Sequence, residues 1–318
     1  MNNIVNFILE NDNFVITCHV HPDGDAIGSS IALYLALKKI GKKVDMVIED
    51  VPKTFKYLVG YDDIKLNSDN KYDVGLILDN ADISRINKSN IISNINTMVV
   101  IDHHISNTNY GDINYVLGLS SCSMVIYELI KNLNIIIDKD IANAIYTGLI
   151  TDTGCYKNKN VNSETFVASS ELCKIVDVPY IIKNAVGTIS RSEFMLRKIG
   201  MDRLELFYNN QIGVIKIYQD DIVRCNANYD ECASLVNIPR EIEGVEVSVL
   251  IRYFDNETRV SLRSNYIDVN EIAKTFGCGG HKNAAGIGLK ADIDKKEFES
   301  KLLSVIENSI NEWNNSCK

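Results

Sequence analysis

The five histidines of this 318-residue chain fall into three short motifs: His19-Val20-His21-Pro22-Asp23-Gly24-Asp25, Asp102-His103-His104 and Gly279-Gly280-His281. The first motif packs two imidazoles and two carboxylates into seven residues. Asp23 and Asp25 repel each other when placed together without a counter-charge, and a cation between them is the simplest remedy. Alone, the stretch reads equally well as a solvated Asp-Gly turn with a helix cap. Combined with Asp79, His103 and Asp152, it gives an oxygen-rich donor set with two imidazoles and no thiolate. Such a set suits Mn²⁺, with Mg²⁺ or Co²⁺ as substitutes, better than a structural zinc. His19, Asp23, Asp25, Asp79, His103 and Asp152 are too many for one ion and suit two ions that share a carboxylate. Two divalent cations roughly 3.5–4 Å apart clamp a phosphoryl group, activate a water near neutral pH and neutralise charge on the phosphate oxygens.

The apolar pattern places these groups at strand ends. Phe14–Cys18 reads as a buried strand running into the first motif, and Ile27–Ile40 reads as the following helix. Val44–Ile48 is a second strand; Val74–Leu78 runs straight into Asp79, and Met98–Ile101 into Asp102. Helical patterns at Ser123–Asn132 and Asp140–Ile150 follow, the latter leading into Thr151-Asp152-Thr153-Gly154. Any single Asp in such a place is commonly a helix cap. Three strands ending in acidic or imidazole groups fit an α/β domain with a doubly wound, mainly parallel sheet and helices on both faces, whose strand ends converge on one rim.

Further helices are read at Asn162–Lys174 and Ser190–Leu206, with Asp177-Val178-Pro179 breaking the chain between them. From about Gln211 the pattern changes to alternating strands, Ile212–Tyr218 and a hairpin of Val245–Phe254 with Thr258–Arg263. Asp268 with Glu271 opens a helix, and Leu302–Trp313 is a last amphipathic one. The expected organisation is a catalytic domain over 1–186, a linker helix over 187–206 and a smaller mixed α/β domain over 207–318.

Composition narrows the function class. An apolar content of 46% supplies full cores. No run of 18 apolar residues marks a membrane span, and the N-terminus lacks a signal-peptide pattern, so a cytoplasmic location is the default. The eight cysteines form no CxxC pair and read as scattered reduced thiols. A net charge of −9 argues against a long nucleic-acid footprint but not against a small phosphorylated substrate, because bound cations reverse the local charge. Asparagine is abundant and reads as compositional bias.

The ordered motifs resemble the DHH phosphoesterase family, named for the Asp-His-His triplet found here at Asp102-His103-His104. His19-x-x-x-Asp23-x-Asp25 resembles its first motif, Asp79 its second and Asp152 its fourth. Gly279-Gly280-His281-x-x-Ala284-Ala285-Gly286 resembles the glycine-rich motif of the associated C-terminal domain, with Cys278 where a further glycine is usual. The compact length most resembles the nanoRNase subgroup, bifunctional oligoribonucleases that also remove the 3′-phosphate from pAp.

The resemblance implies that His19 and Asp23 hold one metal, that Asp25, His103 and Asp152 hold the other, and that Asp79 bridges. Asp102 and His104 are the implied catalytic pair: Asp102 orients the imidazoles, while His104 faces the substrate phosphate and assists proton transfer. His21 has no ligand role in the family pattern. Arg263, Ser264, Gly279, Gly280 and His281 resemble the substrate-binding surface, in an arrangement that sets the active site in a cleft between domains. The implied substrates are short RNA oligonucleotides, pAp or dinucleotides, with no long nucleic acid and no membrane as partner. A homodimer is left open. A phosphodiesterase for pApA or c-di-AMP, a pyrophosphatase and a silent nucleotide-binding sensor are the alternatives.

Overall fold

The computed structural model describes residues 2–86 and 91–316 and divides into two compact units, Met1–Thr188 and Ile189–Lys318. The first unit begins with α1 (Asn2–Glu10), followed by β1 (Phe14–Cys18), α2 (Gly24–Lys39), β2 (Val44–Val47), β3 (Ile64–Lys65), β4 (Tyr72–Leu78), β5 (Ile95–Asp102) and β6 (Ile113–Val116). It closes with α3 (Cys122–Asn132), α4 (Lys139–Asp152), α5 (Ser163–Leu172) and α6 (Val178–Ala185). The strands form one sheet in the order β3-β2-β1-β4-β5-β6, and every pairing is parallel. The order reverses between β1 and β4, the place where ligands bind in such sheets. Cys18 pairs with Leu78 and Leu78 with Ile101, so the next residues, His19, Asp79 and Asp102, stand at one level, Asp102 as the last residue of β5.

β1, β4 and the end of β5 are buried runs of apolar residues, as expected for parallel strands covered on both faces. Phe14, Ile16, Leu76, Leu78, Val99 and Ile101 pack into the main core with residues of all six helices. The opposite face was expected to carry α-helices as well. Its clusters, built on Val15, Val47, Ile77 and Val100, are instead covered by Ile86 and Ile91 and by the partly buried Ile92, Ile95 and Tyr110. Among the described residues, Ile86, Ile91, Ile92 and Tyr110 of that cover come from irregular chain and short 3₁₀ turns, and Ile95 from the start of β5 itself.

The second unit contains α7 (Arg191–Asp202), β7 (Glu205–Phe207), β8 (Ile212–Tyr218), α8 (Gln219–Cys225), α9 (Tyr229–Ala233), β9 (Val247–Tyr253) and β10 (Glu257–Ser264). It ends with α10 (Val269–Lys274), β11 (Gly279–His281), β12 (Ala284–Lys290) and α11 (Lys295–Ser316). Its mixed sheet runs β11-β12-β10-β9-β8-β7, with only β8 and β9 parallel. The helix expected as a linker over 187–206 is α7, and its Leu196 is buried with Ile215 and Leu235 in a core of this unit. The break expected at Asp177-Val178-Pro179 is a helix start: Asp177 caps α6 by accepting from Tyr180 N, with the proline in the first turn. Seven cysteines are free thiols, and Cys317 lies outside the described residues.

Two glycines let α2 and α4 approach each other. A Cβ on Gly28 would stand 2.5 Å from the Ala144 carbonyl oxygen, and one on Gly148 would stand 1.9 Å from Ser123 Oγ and 2.6 Å from Asp25 Oδ1. In an open helix, Gly→Ala stabilises by about 1 kcal/mol. Here steric overlap wins, because the neighbours are backbone and a buried carboxylate. Gly148→Ala is expected to lower stability by about 1–3 kcal/mol, read as a lower urea midpoint. An unchanged or raised midpoint would contradict this packing.

Candidate metal centre

Asp79 is the hub of the first unit's rim. It is 2% exposed, and its backbone is left-handed at φ 52°, a strained conformation for a non-glycine residue and one that clusters at functional sites. Its two carboxylate oxygens face different imidazoles. Oδ2 lies 3.7 Å from His19 Nε2, and Oδ1 lies 3.5 Å from His103 Nε2. His103 Nε2 also lies 3.9 Å from Asp25 Oδ2 and 4.0 Å from Asp152 Oδ2. These separations exceed a hydrogen bond. They match two donors held about 2.0–2.2 Å from a common cation.

Three donor groups emerge, each with its ligand atoms within 4.8 Å of one another: His19, Asp23 and Asp79; Asp25, His103 and Asp152; and Asp79, Asp102, His103 and His104. The first two gather the residues expected around each cation, while Asp79, expected to bridge, groups with His19 and Asp23 and, in the third set, with His103. Asp79 Oδ1 is buried without a hydrogen-bond partner. Asp152 is the last residue of α4, where the helix dipole disfavours a carboxylate. An orphaned buried oxygen and a misplaced acid both fit a cation.

Each donor is aimed by its own neighbours. His19 Nδ1 is 2.8 Å from the Val20 carbonyl oxygen, and His103 Nδ1 is 3.2 Å from that of Leu119. A carbonyl only accepts, so Nδ1 carries the hydrogen and Nε2 presents its lone pair to the carboxylates. Asp23 caps α2, its Oδ1 accepting from Asp25 N at 2.9 Å and Ala26 N at 3.1 Å. Asp25 is 1% exposed and sits at the N-terminus of α3, accepting from Cys122 N at 2.6 Å and Ser123 N at 2.8 Å. Asp152 Oδ2 accepts from Asn160 Nδ2 at 2.9 Å, and Asn160 also donates to the Ser120 carbonyl at 2.7 Å. Sequence reasoning passed over Asn160; within an asparagine-rich chain, nothing in its type set it apart.

Asp102 is fully buried, and its carboxylate aims the next two residues. Oδ1 accepts from His103 N at 2.8 Å and lies 2.7 Å from His104 Nδ1. His104 is the more open ring, and the hydrogen bond to Asp102 raises its pKa. Burial raises the Asp102 pKa, but the bonds from His104 and Asn107 outweigh it and hold the carboxyl below its ordinary value. His21 is exposed with φ 53°, outside all three donor groups.

The substrate-surface candidates lie in the second unit. Paired residues align Arg263, Ala284 and His281 in one row across β10, β12 and β11, and Ser261, Gly286 and Gly279 in the next. Directly opposed residues share a face, so small residues separate Arg263 from His281. Arg263 donates to the Leu262 carbonyl at 2.9 Å, and burial with Arg240 and Arg252 nearby lowers its pKa. Gly280 has no room for a side chain, since a Cβ would lie 2.6 Å from the Ala284 carbonyl oxygen. Ser264 differs from expectation: it is 1% exposed, and its hydroxyl accepts from Tyr266 N and Ile267 N, so it shapes the turn and presents no surface. The left-handed residue beside Cys278 is Gly277 at φ 72°, and the Cys278 thiol sits 3.5 Å from Gly288 N.

Without a cation the first unit's cluster is electrostatically costly. Burial, then the charges of Asp25 and Asp23, push the Asp79 carboxyl well above its ordinary pKa. The same causes push Asp152 up to about 8, and burial also raises Asp25. A raised carboxyl pKa means that the folded state binds protons more tightly than the unfolded chain. Metal-free stability therefore falls as pH rises from the ordinary carboxyl range through about 8. A bound cation removes that loss. Saturating Mg²⁺ or Mn²⁺ is expected to raise the melting temperature more at pH 8 than at pH 5, measured by calorimetry; an equal rise at both would contradict the arrangement.

Comparison with known proteins agrees with this geometry. Residues 13–149 match the DHH family, N-terminal domain, and residues 214–311 match the DHHA1 domain. The chain is 30% identical to the bifunctional oligoribonuclease and PAP phosphatase NrnA of Thermus thermophilus, covering 88% of this chain and 85% of that one. It is 26% identical to the probable bifunctional oligoribonuclease and PAP phosphatase NrnA of Streptococcus mutans, over 93% and 96%. Among solved structures, an exopolyphosphatase-related protein from Bacteroides fragilis superposes with a TM-score of 0.86 at 26% identity, over 98% of this chain and 95% of that one. With matches over nearly its whole length and the Asp-His-His triplet on the rim of its parallel sheet, the chain belongs to the DHH family.

Proposed function

We propose that this chain is a metal-dependent phosphoesterase that degrades short oligoribonucleotides to mononucleotides and removes the 3′-phosphate from pAp. One observation carries the reading: the Asp79 carboxylate lies between two donor groups, one oxygen facing His19 and the other facing His103. The relatives' names, bifunctional oligoribonuclease and PAP phosphatase, support the substrate class.

His19 and Asp23 would hold one divalent cation, Asp25, His103 and Asp152 the other, with Asp79 shared. Oxygen and imidazole donors suit Mn²⁺, with Mg²⁺ or Co²⁺ as substitutes. When bound, such a pair activates water and neutralises phosphate charge. The chain's own residues do the rest. Asp102 holds the His104 ring by Nδ1, leaving Nε2 to give a proton to the departing ribose oxygen. In the second unit, the Arg263 guanidinium offers a planar fork for a phosphate, and Gly279, Gly280 and His281 offer backbone and ring contacts to the nucleotide. Arg263 has no ion-pair partner among the described residues, which supports an anionic ligand. The net charge of −9 disfavours a long phosphate track, and the family resemblance implies substrates of about two to five nucleotides.

Asp152→Ala is expected to lower Mn²⁺-dependent hydrolysis of a diribonucleotide by more than about 100-fold, above the usual cost of losing a supporting residue. Its circular dichroism should be retained, and retained activity would refute the metal assignment. The wild-type protein should turn over a diribonucleotide faster than a 20-mer; the reverse order would reject the short-substrate reading.

A further inference from the structure

Asn107 stands outside every donor group and yet touches the carboxylate that aims His104. Its Nδ2 donates to Asp102 Oδ2 at 2.6 Å and to the Asn80 carbonyl oxygen at 3.2 Å. Its Oδ1 accepts from Asn109 N at 2.7 Å, and its own backbone N–H donates to the His104 carbonyl at 3.1 Å. One side chain thus ties the end of β5 to the residue after Asp79 at the end of β4, and closes the loop that carries His104.

The Asp102 carboxylate has limited acceptor capacity, and its partners divide it cleanly. Oδ1 serves His103 N and His104 Nδ1, and Oδ2 serves Asn107. A fully buried carboxylate free to rotate would trade these partners. The amide of Asn107 fixes the rotation, and the loop turn through Asn109 fixes the amide.

We propose that Asn107 is a positioning residue for phosphoester cleavage, holding Asp102 in the rotamer that keeps His104 protonated on Nδ1 and its Nε2 directed at the leaving oxygen. The inference rests on His104 as the proton donor. In that step the P–O bond to ribose breaks and the electron pair stays on the ribose oxygen. The Nε2 proton of the His104 imidazolium passes to it, leaving a hydroxyl and a neutral ring, while water supplies the new oxygen on phosphorus and releases its proton to solvent, from which the ring is protonated again. Asn107 touches neither substrate nor the reacting atoms.

The test compares Asn107→Ala and Asn107→Asp with His104→Ala on two substrates. One is a diribonucleotide, whose alkoxide must be protonated; the other is the p-nitrophenyl ester of thymidine 5′-phosphate, whose phenolate need not be. Asn107→Asp keeps the contact to Asn109 N and removes the amide donor shared by Asp102 and the Asn80 carbonyl. Circular dichroism checks that each variant is folded, and the ring measurement on the wild type needs no variant. The expected result is about a 10–100-fold loss in kcat on the diribonucleotide, with little change in KM, and less than about a 3-fold loss on the nitrophenyl ester. Adding either change to His104→Ala should cost nothing further. In the Mg²⁺-loaded wild type, ¹⁵N shifts of the His104 ring should report hydrogen on Nδ1, and the variants should show a mixture.

Equal losses on both substrates, multiplicative losses in the double variant, or a wild-type ring without hydrogen on Nδ1 would overturn the proposal. If His104→Ala itself loses activity equally on both substrates, His104 as proton donor fails, which is a different result from a selective His104→Ala beside a non-selective Asn107→Ala.

Discussion

Repulsion among buried carboxylates governs this structure. Burial raises the carboxyl pKa of Asp25, Asp79 and Asp152, the charge of Asp25 raises Asp79 and Asp152 further, and Asp23 adds its charge to all three. The His104 ring, 3.7 Å from Asp79 Oδ1, offsets part of this charge but leaves both Asp79 and Asp152 raised; the two imidazoles of His19 and His103 present lone pairs because their other nitrogens are bound to carbonyls. Such a cluster is a poor way to stabilise a fold and a good way to hold divalent cations. Its cost explains the scaffolding around it: a reversal point in a parallel sheet, close helices at Gly28 and Gly148, and a helix N-terminus seated on Asp25.

Rigidity follows from the division of labour. β1, β4 and β5 deliver His19, Asp79 and Asp102 at one level, so their spacing is set by the sheet. α2 and α4 deliver Asp25 and Asp152, and their close approach through glycine keeps those carboxylates within reach of one imidazole. Amides and backbone carbonyls then set the rotamers. Preorganisation of this kind costs stability when the chain folds and spares reorganisation when a substrate binds.

Much of the centre was legible in the sequence because apolar strands running straight into acidic or imidazole residues are a local pattern. All six expected ligands lie in two compact donor groups. What was less legible depends on distant partners. β3 and β6 are edge strands of two and four residues, too short to show a period, and α6 hid behind a proline that starts a helix. Ser264 was read as surface because its stretch resembles the family's nucleotide-binding surface, yet its hydroxyl closes a turn. Asn107 and Asn160 were lost among many asparagines: their meaning lies in which carboxylate they meet, five and eight residues away along the chain.

The central claim is that Asp79 lies between two divalent cations. It is tested most directly by anomalous diffraction from crystals of the protein grown with Mn²⁺. The account predicts two manganese peaks roughly 3.5–4 Å apart, one beside His19 and Asp23, the other beside Asp25, His103 and Asp152, with Asp79 touching both. A single peak, or two peaks of which Asp79 touches only one, would contradict it.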